Sequence, residues 1–155
     1  AETIDFSNAY VNIDANFLVR KIDNFKTNED ISKSKVKIAV AERSAYDLWL
    51  SDNYKDIKLI RATSIHNSHI LFNEGKADVL AGLKPKLIEE LSTNNQLKII
   101  EDPFTFIKQS VGIKKGSPQV IKFLNDFILK LINDGFIRQL LKKYNVDKKL
   151  SIPKL

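Results

Sequence analysis

Hydrophobic and polar residues first fall into a clear pattern between positions 36 and 50. Val36, Ile38 and Val40 alternate with polar or small residues, which predicts a half-buried strand. A short turn follows, and Ser44 with Asp47 forms an S-x-x-D pair at the start of a predicted helix. This pair is a variant of the capping box, with Asp in place of the usual Glu or Gln.

The helix that begins at Ser44 is predicted to place Ala45, Leu48 and Trp49 on one apolar face. Its first backbone N–H groups have no partner within the helix, and its dipole is positive at that end. Such a helix start suits an anion. The same pattern also fits an ordinary strand–helix turn that binds nothing, so both interpretations stay open from these residues alone.

The same alternation of strand and helix continues to residue 100. Strands are predicted at 57–61, 77–81 and 97–100, the middle one central and parallel. A helix capped by Thr63 or Ser64 directs Ile65, Phe72 and either His69 or Leu71 inward, and it ends at Gly75. Another helix begins at Lys84-Pro85, since proline is favoured in a first turn.

The two flanking segments complete the pattern. A strand is predicted at 15–19 and another at 106–114. A turn at Lys115-Gly116-Ser117 leads into a long helix from Pro118 and then, after Gly135, a last helix. The long helix has a broad apolar face, made of Val120, Ile121, Leu124, Phe127, Ile128, Leu131 and Ile132. The order of elements predicts an α/β fold with a sheet crossed by helices.

Composition narrows the class of protein. The 155 residues are 43% hydrophobic and 28% charged, which fits one globular domain of ordinary size. Cysteine is absent, so disulfides and thiolate metal sites are excluded. Methionine is also absent, and we expect that the initiator was removed by processing or by the choice of fragment.

The net charge of +6 raises the question of nucleic acid. The lysines are spread along the chain, and no aromatic residues interleave with arginine in a stacking pattern. A solvated basic surface is therefore predicted, and no nucleic-acid partner.

Four stretches of the sequence resemble a known family. IDFSNAY is similar to a "DFS-x-x-Y" hinge strand, and KVKIAVAERSAYDLWL to a strand and helix with "V-G-V-x-x-G-S/T-x-x-E/D". FNEGKADVLAG is similar to "L-x-x-G-x-x-D-A-x-x-x-D", and residues 110–144 to closing helices with "G-I-x-x-x-K-G…L…G-x-x-x-x-I-x-x-K-Y". In this order they resemble the amino-acid-type (family 3) extracellular solute-binding proteins of ABC transporters.

The resemblance implies a periplasmic-binding-protein type II fold, in which each lobe is a three-layer α/β sheet with helices on both faces. It implies that residues 12–107 form lobe 2, and that 1–11 and 108–155 form the hinge strand and the C-terminal part of lobe 1. The chain then resembles a C-terminal fragment that lacks the first half of lobe 1. In the family that half supplies an arginine that clamps a ligand carboxylate.

The resemblance further implies a function and its setting. The expected protein is a non-enzymatic component of an ABC importer at the periplasm or the outer side of the cell membrane, exported by a signal peptide. It binds a small polar or anionic solute in an interlobe cleft and delivers it to a membrane permease. Two alternatives share the fold: a dehydratase acting on prephenate-like or arogenate-like acids, and the ligand-sensing domain of a receptor kinase.

Ligand-binding residues follow from the resemblance, position by position. The helix start at Ser44 and Ala45 corresponds to the carboxylate site, with Arg43 either a second clamp or a surface residue. Gly82 and Leu83 stand where amino-acid-binding members have an acid for the ammonium group, which puts a standard amino acid in doubt. Tyr10 is expected either to line the cleft or to pack in the hinge.

No cofactor, metal or catalytic group is predicted. His66 and His69 lie three residues apart, but no third ligand is placed near them, so a surface and a half-buried histidine are expected. No Ser–His–Asp order with a nucleophile elbow and no phosphate loop is present. Because half of lobe 1 is expected to be missing, the chain is predicted to self-associate or to pack its last helices differently from the family.

Overall fold

The computed structural model of the protein describes residues 3–154. The chain divides into two compact units, each treated separately below. We call residues 14–107 the central unit, and residues 1–13 with 108–155 the terminal unit.

The order of strands and helices is the predicted one, except that the first strand covers 17 residues where 15–19 were predicted and that a short helix lies between it and the next strand. The strands are β1 (Ile4–Arg20), β2 (Lys37–Ala41), β3 (Lys58–Ala62), β4 (Val79–Leu83), β5 (Leu97–Ile99) and β6 (Thr105–Lys114). The helices are α1 (Asn28–Ser32), α2 (Ala45–Asn53), α3 (Ile65–Asn73), α4 (Lys84–Thr93), α5 (Pro118–Asn133) and α6 (Phe136–Lys143).

The central unit is built on a mixed sheet with strand order β3-β2-β4-β1-β5. β2 is parallel to both β3 and β4, as the strand–helix–strand pattern predicts. β1 is antiparallel to β4, with Phe17 opposite Ala81, and antiparallel to β5, with Leu18 opposite Ile99. The predicted strand 77–81 is therefore central but parallel on one side only.

Helices cover both faces of this sheet. On one face, Ile31 of α1 and Leu50 of α2 pack with Phe17 and Val40 in a first buried cluster. On the other face, Phe72 of α3 and Leu87 of α4 pack with Leu18 and Ala39 in a second buried cluster.

The prediction that β2 is half-buried is wrong. Residues 38–41 are all buried, because Val40 and Ala39 on opposite faces of the strand are covered by different helices. A strand covered on both faces reads as a continuous apolar run, and the IAVA sequence shows that run.

The predicted apolar face of α2 is only partly correct: Trp49 packs against the first buried cluster as predicted, but the other two residues do not. Tyr46, Asp47 and Leu50 are buried, whereas Ala45 is exposed and Leu48 is 59% exposed. Five of the six residues from 45 to 50 are apolar, so the spacing alone did not decide which side faces the sheet. The hydrogen bonds of Asp47, described below, fix the rotation.

In α3 the prediction is partly correct. Ser64 is the N-cap, and Phe72 and His69 are buried as expected. Ile65 was expected to face inward but is 40% exposed. It occupies the first helical position, directly after the turn that follows the end of β3 at Ala62.

The terminal unit has its own small core. Val11 of β1 packs against Ile137 and Leu141 of α6, and Gly135 separates α5 from α6 with a φ of +73°. β6 pairs with β1. The chain returns once more, where the N–H of Asn12 donates to the carbonyl of Ser151 at 2.8 Å.

Large apolar side chains of the terminal unit remain exposed. On α5, Val120, Phe123 and Phe127 form what we call the α5 stripe, exposed by 47%, 66% and 48%. The rings of Phe123 and Phe127 are parallel, with centroids 6.1 Å apart. The other exposed members are Ile4, Phe6, Tyr10, Val111, Leu129, Phe136 and Tyr144.

Candidate functional site

The carboxyl ends of β2, β3 and β4 meet at one edge of the central sheet, because the three strands are parallel. A helix begins directly after each of them: α2, α3 and α4. Ligands of open α/β sheets bind outside the carboxyl ends of the strands, where helix N-termini converge. We call this region the carboxyl edge, and it holds five of the six predicted site residues.

The start of α2 differs in one bond from the predicted capping box. The Ser44 hydroxyl accepts a hydrogen bond from the Asp47 N–H at 3.1 Å, as expected. The Asp47 carboxylate, however, accepts from the N–H of Arg43 at 2.9 Å, whereas the N–H of Ser44 donates to the carbonyl of Ala41. The turn before the helix is therefore held by hydrogen bonds of its own.

Asp47 is also the centre of an ion pair. Its side chain is 4% exposed, and the Nε of Arg61 donates to its two oxygens at 3.0 and 3.2 Å. The Nη2 of Arg61 donates to the Ser51 hydroxyl at 2.7 Å, and that hydroxyl donates to the carbonyl of Asp47. These bonds connect the end of β3 to the first turns of α2.

Arg43 has the backbone conformation of a left-handed residue, with a φ of +59°. A residue other than glycine rarely adopts this region, and doing so costs free energy. The Arg43 side chain is exposed, and so is that of its neighbour Glu42. Opposite charges therefore stand side by side on the turn between β2 and α2.

The end of β4 brings a different set of groups to the same edge. Leu83 is opposite Ala15 of β1 and packs against the first buried cluster, so this position offers no counter-charge. Gly82 is buried, and a side chain there would meet Leu87 of α4 at 3.0 Å, which gives a packing reason for the glycine. Lys84 lies 3.7 Å from the carboxylate of the nearly buried Asp14.

The sixth predicted residue, Tyr10, belongs to the terminal unit, where it is 36% exposed on β1. The other five, Arg43, Ser44, Ala45, Gly82 and Leu83, lie in the central unit at the ends of β2 and β4.

The sequence did not identify the charged residues that folding brings together at this edge. Asp14 and Lys84 are 70 residues apart in the chain, as their numbers show, and Arg61 is 14 residues from Asp47. No local motif links either pair. A signal was available in Asp47 alone, since an acid in an apolar helical segment requires a partner when it is buried.

The two histidines line a surface cavity of about 330 Å³ together with Ile65, Lys86, Glu89 and Glu90. His69 is 8% exposed, and its Nδ1 lies 2.5 Å from Glu90. Within residues 3–154, no three His, Asp or Glu side chains are grouped so that they would hold a metal ion.

Tyr46 leads to a prediction of pH dependence. Burial raises the pKa of its hydroxyl above the usual 10.0, and hydrogen bonds with the Ser44 side chain and the Ala41 backbone oppose this in part. The folded protein thus keeps the Tyr46 proton to higher pH than the unfolded chain does. Its contribution to stability is complete below the unfolded pKa and is lost as the pH rises past it.

We therefore expect the free energy of unfolding to fall as the pH is raised above about 10. Burial raises the pKa of Tyr54 as well, so both residues contribute in the same direction. Urea unfolding at several pH values would show a shallower fall for Tyr46→Phe, and an unchanged one for Tyr144→Phe, whose side chain is 65% exposed. An equal fall in all three proteins would refute the assignment.

A mixed sheet with helices on both faces, and helix starts gathered at one edge, is the form of a lobe of type II periplasmic binding proteins. The family model of bacterial extracellular solute-binding proteins, family 3, matches residues 1–147, and the chain belongs to this family. The fold class and family that the sequence predicted are thereby confirmed.

Curated relatives are similar over most of this chain. The glutamine-binding protein of an ABC transporter from Bacillus subtilis is 21% identical over 91% of this chain and 51% of its own length. The L-cystine-binding protein of Escherichia coli is 24% identical over 90% of this chain and 53% of its own. The chain thus spans about half the length of the curated relatives it matches.

Solved structures show the same fold. A binding component of an ABC transporter from Wolinella succinogenes, complexed with lysine, gives a TM-score of 0.71 at 21% identity, over 90% of this chain and 62% of that one. An ancestral amino-acid-binding protein, described as a precursor of cyclohexadienyl dehydratase, gives 0.65 at 22% identity, over 92% and 62%. No helix within residues 3–154 is both long and apolar enough to cross a membrane.

Proposed function

We propose that the chain is part of the solute-binding component of an ABC import system. The observation that carries this proposal is the match of the family to nearly the whole chain. The convergence of three helix starts at the carboxyl edge supports it, because such an edge provides free N–H groups for a polar or anionic solute.

In this proposal residues 12–107 act as one lobe, and 1–11 with 108–155 act as the hinge strand and part of the other. The protein works outside the cytoplasm, in the periplasm or on the outer side of the cell membrane, and presents its solute to a membrane permease. It performs no catalysis. The relatives named as glutamine- and cystine-binding proteins support transport as the function.

The proposed solute is small and polar or anionic, and it contacts residues of the carboxyl edge. Ser44 caps α2 and Ala45 offers the first free N–H group of the helix, Arg43 offers a guanidinium, and Gly82 and Leu83 border the site at the end of β4. Tyr10 is proposed as a further contact. Because Leu83 is apolar, an ammonium group would lack a counter-charge at that position.

A panel of solutes tests the proposal on the 155-residue chain labelled with ¹⁵N. Succinate, L-glutamine, L-arginine and L-lysine are titrated while the backbone amide signals are followed. We expect succinate to shift the amides of Ala45 and Tyr46 at lower concentration than any of the amino acids. A tighter response to an amino acid would overturn the preference for a solute without an ammonium group and would direct attention to Glu42 as the partner of that group.

One substitution tests the contribution of the α2 start to solute binding separately from that of the other residues of the carboxyl edge. Ala45→Pro removes one N–H donor, and the φ of −68° and ψ of 156° at Ser44 suit a residue that precedes proline. Proline at Ser44 itself is unsuitable, since Arg43 before it is left-handed. We expect Ala45→Pro to weaken succinate binding about tenfold, a typical loss for one charge-assisted hydrogen bond.

The matched control for that substitution is Ala45→Gly, which keeps the N–H group and removes only a methyl. It is expected to bind succinate with nearly the wild-type affinity. If both variants fold and bind equally well, Ala45 does not belong to the site.

A further inference from the structure

The first turn of α2 contains a charge that opposes the proposed function. Asp47 is the third residue of the helix, close to the N–H groups of Ala45 and Tyr46 that would receive an anion. Its carboxylate is 4% exposed, so water screens it little. An unpaired carboxylate at this place would repel an anionic group bound at the helix start.

Arg61 compensates that charge. Its Nε contacts both oxygens of Asp47, and its Nη2 contacts the Ser51 hydroxyl one helical turn further on. The guanidinium is therefore held in one orientation at two points. It comes from the end of β3, a neighbouring strand, so the sheet itself fixes its position against α2.

The same carboxylate also holds the turn that carries Arg43. The N–H of Arg43 donates to Asp47, and this bond helps to retain the left-handed conformation of Arg43. Among the nearby charges, Glu42 and Arg43 are exposed and Lys84 is paired with Asp14 at the end of β4. Asp47 is thus a buried acid of the α2 start, and Arg61 is its cationic partner.

We propose that Arg61 is a positioning and charge-balancing residue of the carboxyl edge, which acts through Asp47 and sets the affinity of the α2 start for a carboxylate. The proposal rests on the proposed function, in which this helix start receives the anionic group of the solute. Arg61 itself does not touch the solute. Removing it leaves Asp47 uncompensated beneath the bound anion.

Four variants test this inference on the ¹⁵N-labelled 155-residue chain, with succinate and its neutral diamide, succinamide, as probes. Arg61→Gln is expected to weaken succinate binding about tenfold and to leave succinamide binding unchanged. Only the anion is repelled by the uncompensated carboxylate of Asp47. Asp47→Asn combined with Arg61→Gln is expected to restore succinate binding to within about twofold, because the repelling charge is gone. Lys58→Gln, at the other end of β3, removes an equal charge and is expected to change neither.

The restoration by the double variant distinguishes charge balance from a merely structural role. If Arg61 only supported the fold, the double variant would bind succinate as weakly as Arg61→Gln, and the inference would be overturned. Equal binding by Arg61→Gln and Lys58→Gln would overturn it as well. Should Arg61→Gln fail to fold, Arg61→Lys keeps the charge and is expected to bind within about threefold of wild type; a loss of tenfold or more would contradict the inference.

Failure of the proposed function has a different signature. In that case wild-type protein would show no shift at Ala45 or Tyr46 with any probe, and the inference would fall with it. If wild type responds to succinate and the variants do not follow the expected order, the function stands and the role of Arg61 is refuted.

Discussion

Phe17→Ala is expected to lower the free energy of unfolding by about 3–5 kcal/mol, the usual cost of truncating a fully buried phenylalanine. Phe17 is 0% exposed at the centre of the first buried cluster. Its ring stacks on Phe104 with centroids 4.4 Å apart and meets the edge of Tyr54 at 6.2 Å. Alanine would leave a cavity between β1 and the two separate segments that carry Tyr54 and Phe104.

Urea unfolding followed by circular dichroism measures this loss. Leu48→Ala is the matched control, because Leu48 is 59% exposed in the central unit and alanine suits a helix. It is expected to change the free energy of unfolding by less than about 0.5 kcal/mol. A loss below about 1.5 kcal/mol for Phe17→Ala would show that the cluster relaxes into the space or is less tightly packed than described.

The second large effect concerns association. We expect the 155-residue chain to self-associate at tens of micromolar through its terminal unit. The α5 stripe, Ile4 and Phe6 are exposed there, and fully burying one such side chain is worth about 1.5–3 kcal/mol. Unpaired strand edges add a second means of contact between copies. A specific interface needs about 800 Å² from each partner, which several large apolar side chains supply.

Sedimentation velocity would show species heavier than 17.7 kDa. The pair Phe123→Lys and Phe127→Lys is expected to shift the distribution towards monomer, whereas Leu48→Lys, an equally exposed change in the central unit, is expected to leave it unchanged. A compact monomer for wild type would refute self-association. Capture of a separate polypeptide that carries the rest of the lobe would identify another occupant of the same surface.

The sequence predicted element order well, because each strand and helix carries its own period and its own end signals. Ser64 as a cap, Pro85 in a first turn and Gly75 after a helix are local features, and the structure has them as predicted. Which face a helix buries is a tertiary property. Five of the first six side chains of α2 are apolar, and the ion pair of the buried Asp47 with Arg61 decides the rotation.

The same distinction between local and tertiary features applies to the candidate site. The α2 start was found because a cap pair four residues long marks it. Lys84 with Asp14 and Arg61 with Asp47 were not found, since the chain must first form its parallel strands before these residues become neighbours. Charge balance at the carboxyl edge therefore becomes visible only once β1 and β3 have taken their places beside β4 and β2.

The terminal unit is assembled from residues that are far apart in the sequence, and this affects the order in which the two units fold. The N–H of Lys115 donates to the carbonyl of Thr3, and Asn12 pairs with Ser151, so its contacts join the earliest residues to the latest. Contacts over such separations close large loops, which slows folding. The parallel strands β2, β3 and β4 pair over shorter separations, so the central unit is expected to form first and the apolar residues of the terminal unit to be covered last.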